Sequence, residues 1–98
     1  MPNSFIIVGV LVAAVGLKNL ELVESIHGLM VKFGLESDVV VGTAMLDAYA
    51  KCGNIFYSYK LFEGLKNPCV VSCNTIVAGF FSNKLFEQAV LLFNFFRV

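Results

Sequence analysis

The sequence predicts an all-α solenoid, with about six helices folded as antiparallel hairpins stacked side by side. Three observations predict it. The chain is 58% apolar and only 14% charged over 98 residues, whereas an average soluble domain runs about 45–50% apolar and 25% charged. It matches itself when shifted by 31 or by 35 residues. Each matching unit holds two apolar stripes of helical period with a Gly- or Asn-containing break between them.

The first unit spans residues 4–38. Its first helix is expected from Phe5 to Val15, with a break at Gly16 and Asn19. Its second helix is expected from Leu20 to Phe33, ended by Gly34. A shift of 35 places Leu11 on Leu46, Ala13 on Ala48, Asn19 on Asn54 and Ile26 on Leu61.

The second unit, 39–69, has Val40, Ala44, Met45, Ala48 and Tyr49 on its first stripe. Gly53 stands where a C′ glycine would end that helix, and Asn54 can cap the next. Ile55, Tyr59, Leu61, Phe62 and Leu65 form the second stripe, closed by Gly64 and Asn67-Pro68. The third unit, 70–98, follows at a shift of 31. It carries Val77, Phe80 and Phe81, then Phe86, Ala89, Val90, Leu92, Phe93 and Phe96.

Stacked hairpins account for the apolar excess, because one hairpin cannot bury its apolar face alone and its neighbour does so. Neither end carries a polar cap, and Phe93, Phe95 and Phe96 are expected to be exposed. The chain reads as part of a longer array or as a shortened product, weakly stable alone and prone to associate through that end.

The same numbers exclude several classes. Intrinsic disorder needs low hydrophobicity and high net charge, and this chain has neither. Seven basic and seven acidic residues cancel, so no basic field announces nucleic acid. The longest uncharged apolar run, Phe5 to Leu17, is thirteen residues, short of the ~20 that span a bilayer, so no membrane partner is expected. No Lys or Arg precedes that run, as a signal peptide requires, and the only Arg is Arg97, which argues against a transit peptide within this chain.

Cys52, Cys69 and Cys73 cannot all pair, and Cys69-x3-Cys73 with a single distant His27 is not a usual zinc spacing. They read as reduced, small apolar side chains. His27 with Glu24 nearby lacks a nucleophile, carboxylate pair or phosphate loop to work with, so it reads as a buried or interfacial histidine. No cofactor, no metal and no enzymatic activity are expected.

Three segments carry a resemblance. Residues 47–55 (DAYAKCGNI) with Lys60-Leu-Phe62 resemble the D-x-Y-A-K-C-G-x-I … L-F run of plant pentatricopeptide repeat proteins. Residues 26–38 (IHGLMVKFGLESD) resemble that family's I-H-x4-K-x-G-L-x-S-D segment. Residues 70–79 (VVSCNTIVAG) with 87–93 (EQAVLLF) are similar to its V-V-S-W-N-x2-I-x-G … E-A-L-x-L-F unit. The unit lengths look like the subfamily that mixes long, short and classical repeats.

The resemblance implies a binder of single-stranded RNA in mitochondria or chloroplasts, an adaptor for editing or processing, with about one base read per repeat. It implies base contacts at the fifth residue of each first helix, here Val8, Thr43 and Asn74. The last residue of each repeat, here Asp38 and Cys69, shares that role. It implies that the second residues, Phe5, Val40 and Val71, pack against the bases. Asn74 would favour a pyrimidine and Thr43 a purine. Four residues depart from the pattern: Cys69 stands for Asp or Asn, Cys73 for Trp, Lys84 for the interhelix Gly, and Val23 for a small residue at a close-packing position.

Two other readings remain open. One is a protein–protein scaffold that binds partners on its concave face, other proteins also being expected at the exposed solenoid ends. The other is a shortened paralogue without independent function. Polarity at the repeated fifth and last positions discriminates, since a scaffold has no reason to place Thr43, Asn74 and Asp38 there.

Overall fold

In the computed structural model, which describes residues 4–35, 38–65 and 67–97, the described residues form six helices. These are α1 (Ser4–Gly16), α2 (Leu20–Lys32), α3 (Val39–Lys51), α4 (Ile55–Glu63), α5 (Val70–Ser82) and α6 (Phe86–Arg97). The expected helices are therefore present.

The turns inside the three hairpins share one construction. Lys18, Gly53 and Lys84 each take a positive φ, of 52°, 91° and 62°. The N–H after each bonds back to a carbonyl five residues earlier: Asn19 to Ala14, Asn54 to Tyr49, Leu85 to Phe80. This is the Schellman closure. In the first two hairpins the same asparagine also starts the next helix. The Asn19 and Asn54 side chains accept from the N–H groups of Leu22 at 3.0 Å and Tyr57 at 3.3 Å. Leu85 stands at the third position and has no such oxygen.

The first helices form one layer, with α3 packed between α1 and α5. The second helices lie behind, and among the described residues α2 does not approach α4 closely, nor α4 α6. Rings span that wider space: His27 and Tyr57 lie 6.1 Å apart, and Phe62 and Phe96 5.6 Å. One layer is thus closer-spaced than the other, so the row bends toward the first helices. Gly79 permits the close spacing. A Cβ there would lie 2.8 Å from Ile55 Cδ1 and 2.9 Å from Ala50 Cβ.

Two apolar cores result. One joins the first two hairpins through Leu11, Val23, Ile26, Val41, Met45 and Tyr49. The other joins the last two through Leu46, Ala50, Ile55, Phe62, Ile76 and Phe80. Helix α3 supplies both. The equivalent small-residue sites differ in content but not in burial: Val23, Ser58 and Ala89 are all fully buried. Val23 fills the first core, and the Ser58 hydroxyl donates to the Leu46 carbonyl at 2.8 Å.

The expected apolar stripes need correction at the outer faces. Val40, Phe81, Phe86 and Val90 are exposed, while Phe93 and Phe95 are exposed as expected. Phe96, expected exposed, instead packs on Phe62 and joins the second core. It sits on the inner side of α6, facing α4.

Two measurements check this packing. Lys84→Gly relieves a left-handed conformation costing about 1–2 kcal/mol, and is expected to raise unfolding free energy by about 1 kcal/mol in a urea titration. The Lys18→Gly gain should be smaller, because the Lys18 ammonium donates to the Lys51 carbonyl at 3.3 Å. Gly79→Val is expected to cost about 1–3 kcal/mol, since the Ile55 side-chain tip can move aside but Ala50 Cβ, 2.9 Å away, is fixed to the α3 backbone.

Candidate functional site

Because hairpins are antiparallel, α3 and α5 begin at the end of the molecule where α2 and α4 finish. A groove of about 790 Å³ lies at that end. Asp38, Thr43, Cys69 and Ser72 line it, with Tyr57 and Lys60 from α4.

Each wall residue has a local cause. Asp38 precedes α3, and its Oδ1 accepts from the Val40 and Val41 N–H groups at 2.9 and 3.1 Å. That is an N-cap, so one carboxylate oxygen is engaged by the helix it starts. Thr43 is the fifth residue of α3, one turn further in and half-buried. Its hydroxyl bonds to no described residue. Cys69 precedes α5, where Ser72 closes the turn. The Ser72 hydroxyl accepts from the Cys69 N–H at 2.8 Å and donates to the Cys69 carbonyl at 2.9 Å.

Hydrogen bonding, chiefly from the Ser72 backbone N–H, holds the Cys69 thiol below its ordinary value. Cys73 lies one turn on, and burial pushes its thiol up, with the neighbouring Cys69 charge adding to the effect. All three cysteines are free thiols.

The remaining candidates lie outside the groove. Asn74, the fifth residue of α5, is exposed, and its amide bonds to no described residue. Val8, the fifth residue of α1, is half-buried and offers no polar group. Phe5, Val40 and Val71 are the second residues of α1, α3 and α5, and are 88%, 61% and 61% exposed. Apolar side chains held in water at three equivalent positions form a row of uncovered contact surface.

Lys60, Ser72 and Tyr57 are wall residues that the repeat reading passed over. The cause is plain for Lys60: its equivalents are Ser25 and Leu91, so no repeated position signals a cation there. Behind the groove a second cavity, about 370 Å³, is lined by Glu24, His27, Tyr49, Asn54 and Tyr57. His27 Nδ1 and the Tyr49 hydroxyl lie 3.1 Å apart, so the histidine is interfacial as expected. Burial, then Tyr57 and Glu24, push the Tyr49 phenol up to about 12. It is a neutral structural group at ordinary pH.

Among the described residues no cluster of three His, Cys, Asp or Glu side chains could hold a metal ion. No described helix is long and apolar enough to cross a membrane.

A bent row of helical hairpins, with the second residues of the first helices uncovered and the fifth residues half-buried or exposed, defines a helical-repeat protein. The PPR repeat profile matches residues 43–67 and 71–97, together more than half of the chain. The chain belongs to the pentatricopeptide repeat family. That family consists generally of RNA-binding proteins of organellar RNA processing. It is similar to a mitochondrial pentatricopeptide repeat-containing protein of Arabidopsis thaliana, 40% identical over 93 residues, covering 95% of this chain and 15% of that protein. A chloroplastic one from the same plant is 35% identical over 97 residues, covering 99% of this chain and 16% of the relative. Another mitochondrial relative is 34% identical over 94 residues, covering 96% and 17%. The chain therefore spans only a small part of these relatives' length.

The thiol environments make a checkable difference. Alkylation by iodoacetamide, mapped by peptide mass, should label Cys69 before Cys73. The thiolate is the nucleophile, so the half-maximal rate at Cys69 should fall at lower pH than at Cys73.

Proposed function

We propose that this chain is a sequence-specific module for single-stranded RNA. Its units are residues 4–38, 39–69 and a partial 70–98. The pairs Val8/Asp38 and Thr43/Cys69, with Asn74 from the third unit, face successive bases. Phe5, Val40 and Val71 pack against base faces. The observation that carries this reading is the equivalence of those positions: exposed apolar second residues and unengaged polar fifth residues, with Thr43, Asp38 and Cys69 on one groove.

Its ancestral role is that of an adaptor in organellar RNA editing or processing. The mitochondrial and chloroplastic names of its relatives support placement in one of those organelles. Base recognition here is weak. Thr43 and Asn74 offer two hydrogen-bonding side chains, each discriminating by about 1–3 kcal/mol by analogy with DNA. A Kd of 1 μM needs about 8 kcal/mol. Seven cations offset by seven anions add little phosphate attraction.

Fluorescence anisotropy with a random single-stranded RNA pool tests this. Binding is expected to be weaker than about 1 μM, lost on duplex RNA, and reduced about fivefold or more by Asn74→Ala or Thr43→Ala. Equal binding to duplex overturns the assignment; in a selection from the same pool, an enriched motif longer than three bases overturns the expectation of weak recognition.

A further inference from the structure

The two outer faces of the molecule carry the same register as its internal interfaces. On α3, Val41, Met45, Ala48 and Cys52 lie toward α1, and all but the half-buried Cys52 are fully buried. Their equivalents on α5, 31 residues on, are Ser72, Ile76, Gly79 and Asn83. These lie toward α3, and all but the half-buried Asn83 are buried. The equivalents on α1, 35 residues back, are Ile6, Val10, Ala13 and Leu17, and all four are exposed.

The opposite faces behave likewise. Leu46, Ala50, Ile55, Tyr59 and Phe62 pack against the third hairpin. Thirty-one residues on stand Val77, Phe81, Phe86, Val90 and Phe93, of which all but Val77 are exposed. None of the eight exposed residues on these two faces is charged. One face has the register of a surface that, twice inside the chain, receives a hairpin. The other has the register of the surface that is received.

We infer that the chain associates head to tail with a second copy, the α5–α6 face of one seated on the α1 face of the next. The occupant is a second copy because both halves of the internal contact stand on one chain. One more application of the packing step that relates α1 to α3, and α3 to α5, brings α1 of the next copy onto α5. Such a contact is heterologous, so it leaves one face of each kind free and grows without closing. Exposed Phe95 lies off this face; Phe81, Phe86, Val90 and Phe93 form it.

Sedimentation velocity over a concentration series tests this. The unaltered chain should show average mass rising past a dimer with no plateau. Phe93→Glu alone and Val10→Glu alone should each be monomeric, with far-UV dichroism checking that each remains helical. Mixed, they should restore a one-to-one dimer that grows no further, since one intact face of each kind remains. Phe81→Glu with Leu17→Glu is a second such pair should either first variant lose its helicity. Dimers formed by Val10→Glu alone would show the α5–α6 faces pairing with each other, and overturn the inference. A monomer of the unaltered chain at all concentrations would overturn it too.

Discussion

Helices α3 and α5 lie so close that a methyl group at position 79 would overlap Ala50 and Ile55. This approach sets the spacing of the first-helix layer. The second helices cannot come as near, because Tyr57, Phe62 and Phe96 must fit between them. The difference in spacing bends the row. It also turns the N-terminal ends of α1, α3 and α5 into one continuous surface. The second and fifth residues of each helix share that surface only because the layer is tight.

Helix α3 bears most of this arrangement. It places Met45 and Tyr49 in one core and Leu46 and Ala50 in the other. A helix apolar on two flanks has no preferred single face, and its period alone does not say which neighbour each residue meets. Self-similarity at 31 and 35 residues does say it, because each α3 residue has counterparts whose neighbours differ. This is why the stacked architecture could be read from residues alone. The exposure of Phe81, Phe86 and Val90 could be read less well, since an apolar stripe looks the same whether or not a neighbour covers it. Phe96 could not be read at all from its run of aromatics, because its rotation onto Phe62 follows from where α6 lies against α4.

The candidate site was legible to a similar degree and for the same reason. Position within a unit singles out Thr43, Asp38 and Cys69, and the groove lined by all three follows from the antiparallel hairpin. Lys60 and Ser72 line it too, but neither occupies a position that recurs with the same chemistry. The capping duty of Asp38 was hidden as well. A residue that ends one unit also precedes the next helix, and an acidic side chain there binds the helix N-terminus whatever else it does.

The third hairpin differs from the second in three small ways that act together. Its turn holds Lys84 where the second has Gly53. Its second helix starts at Leu85 without the oxygen that Asn54 supplies. Among the described residues, none packs on the outer face formed by Phe81, Phe86 and Val90. Stability in a stacked array is close to a sum of unit and interface terms, so these deficits stay where they arise. Helices α5 and α6 therefore open before α3 and α4, by a local equilibrium below the free energy of unfolding the whole chain. Asn74 rides on that unit. This side chain, which we propose faces a base, is thus released from its framework whenever that unit opens, and anything that covers the α5–α6 face steadies it.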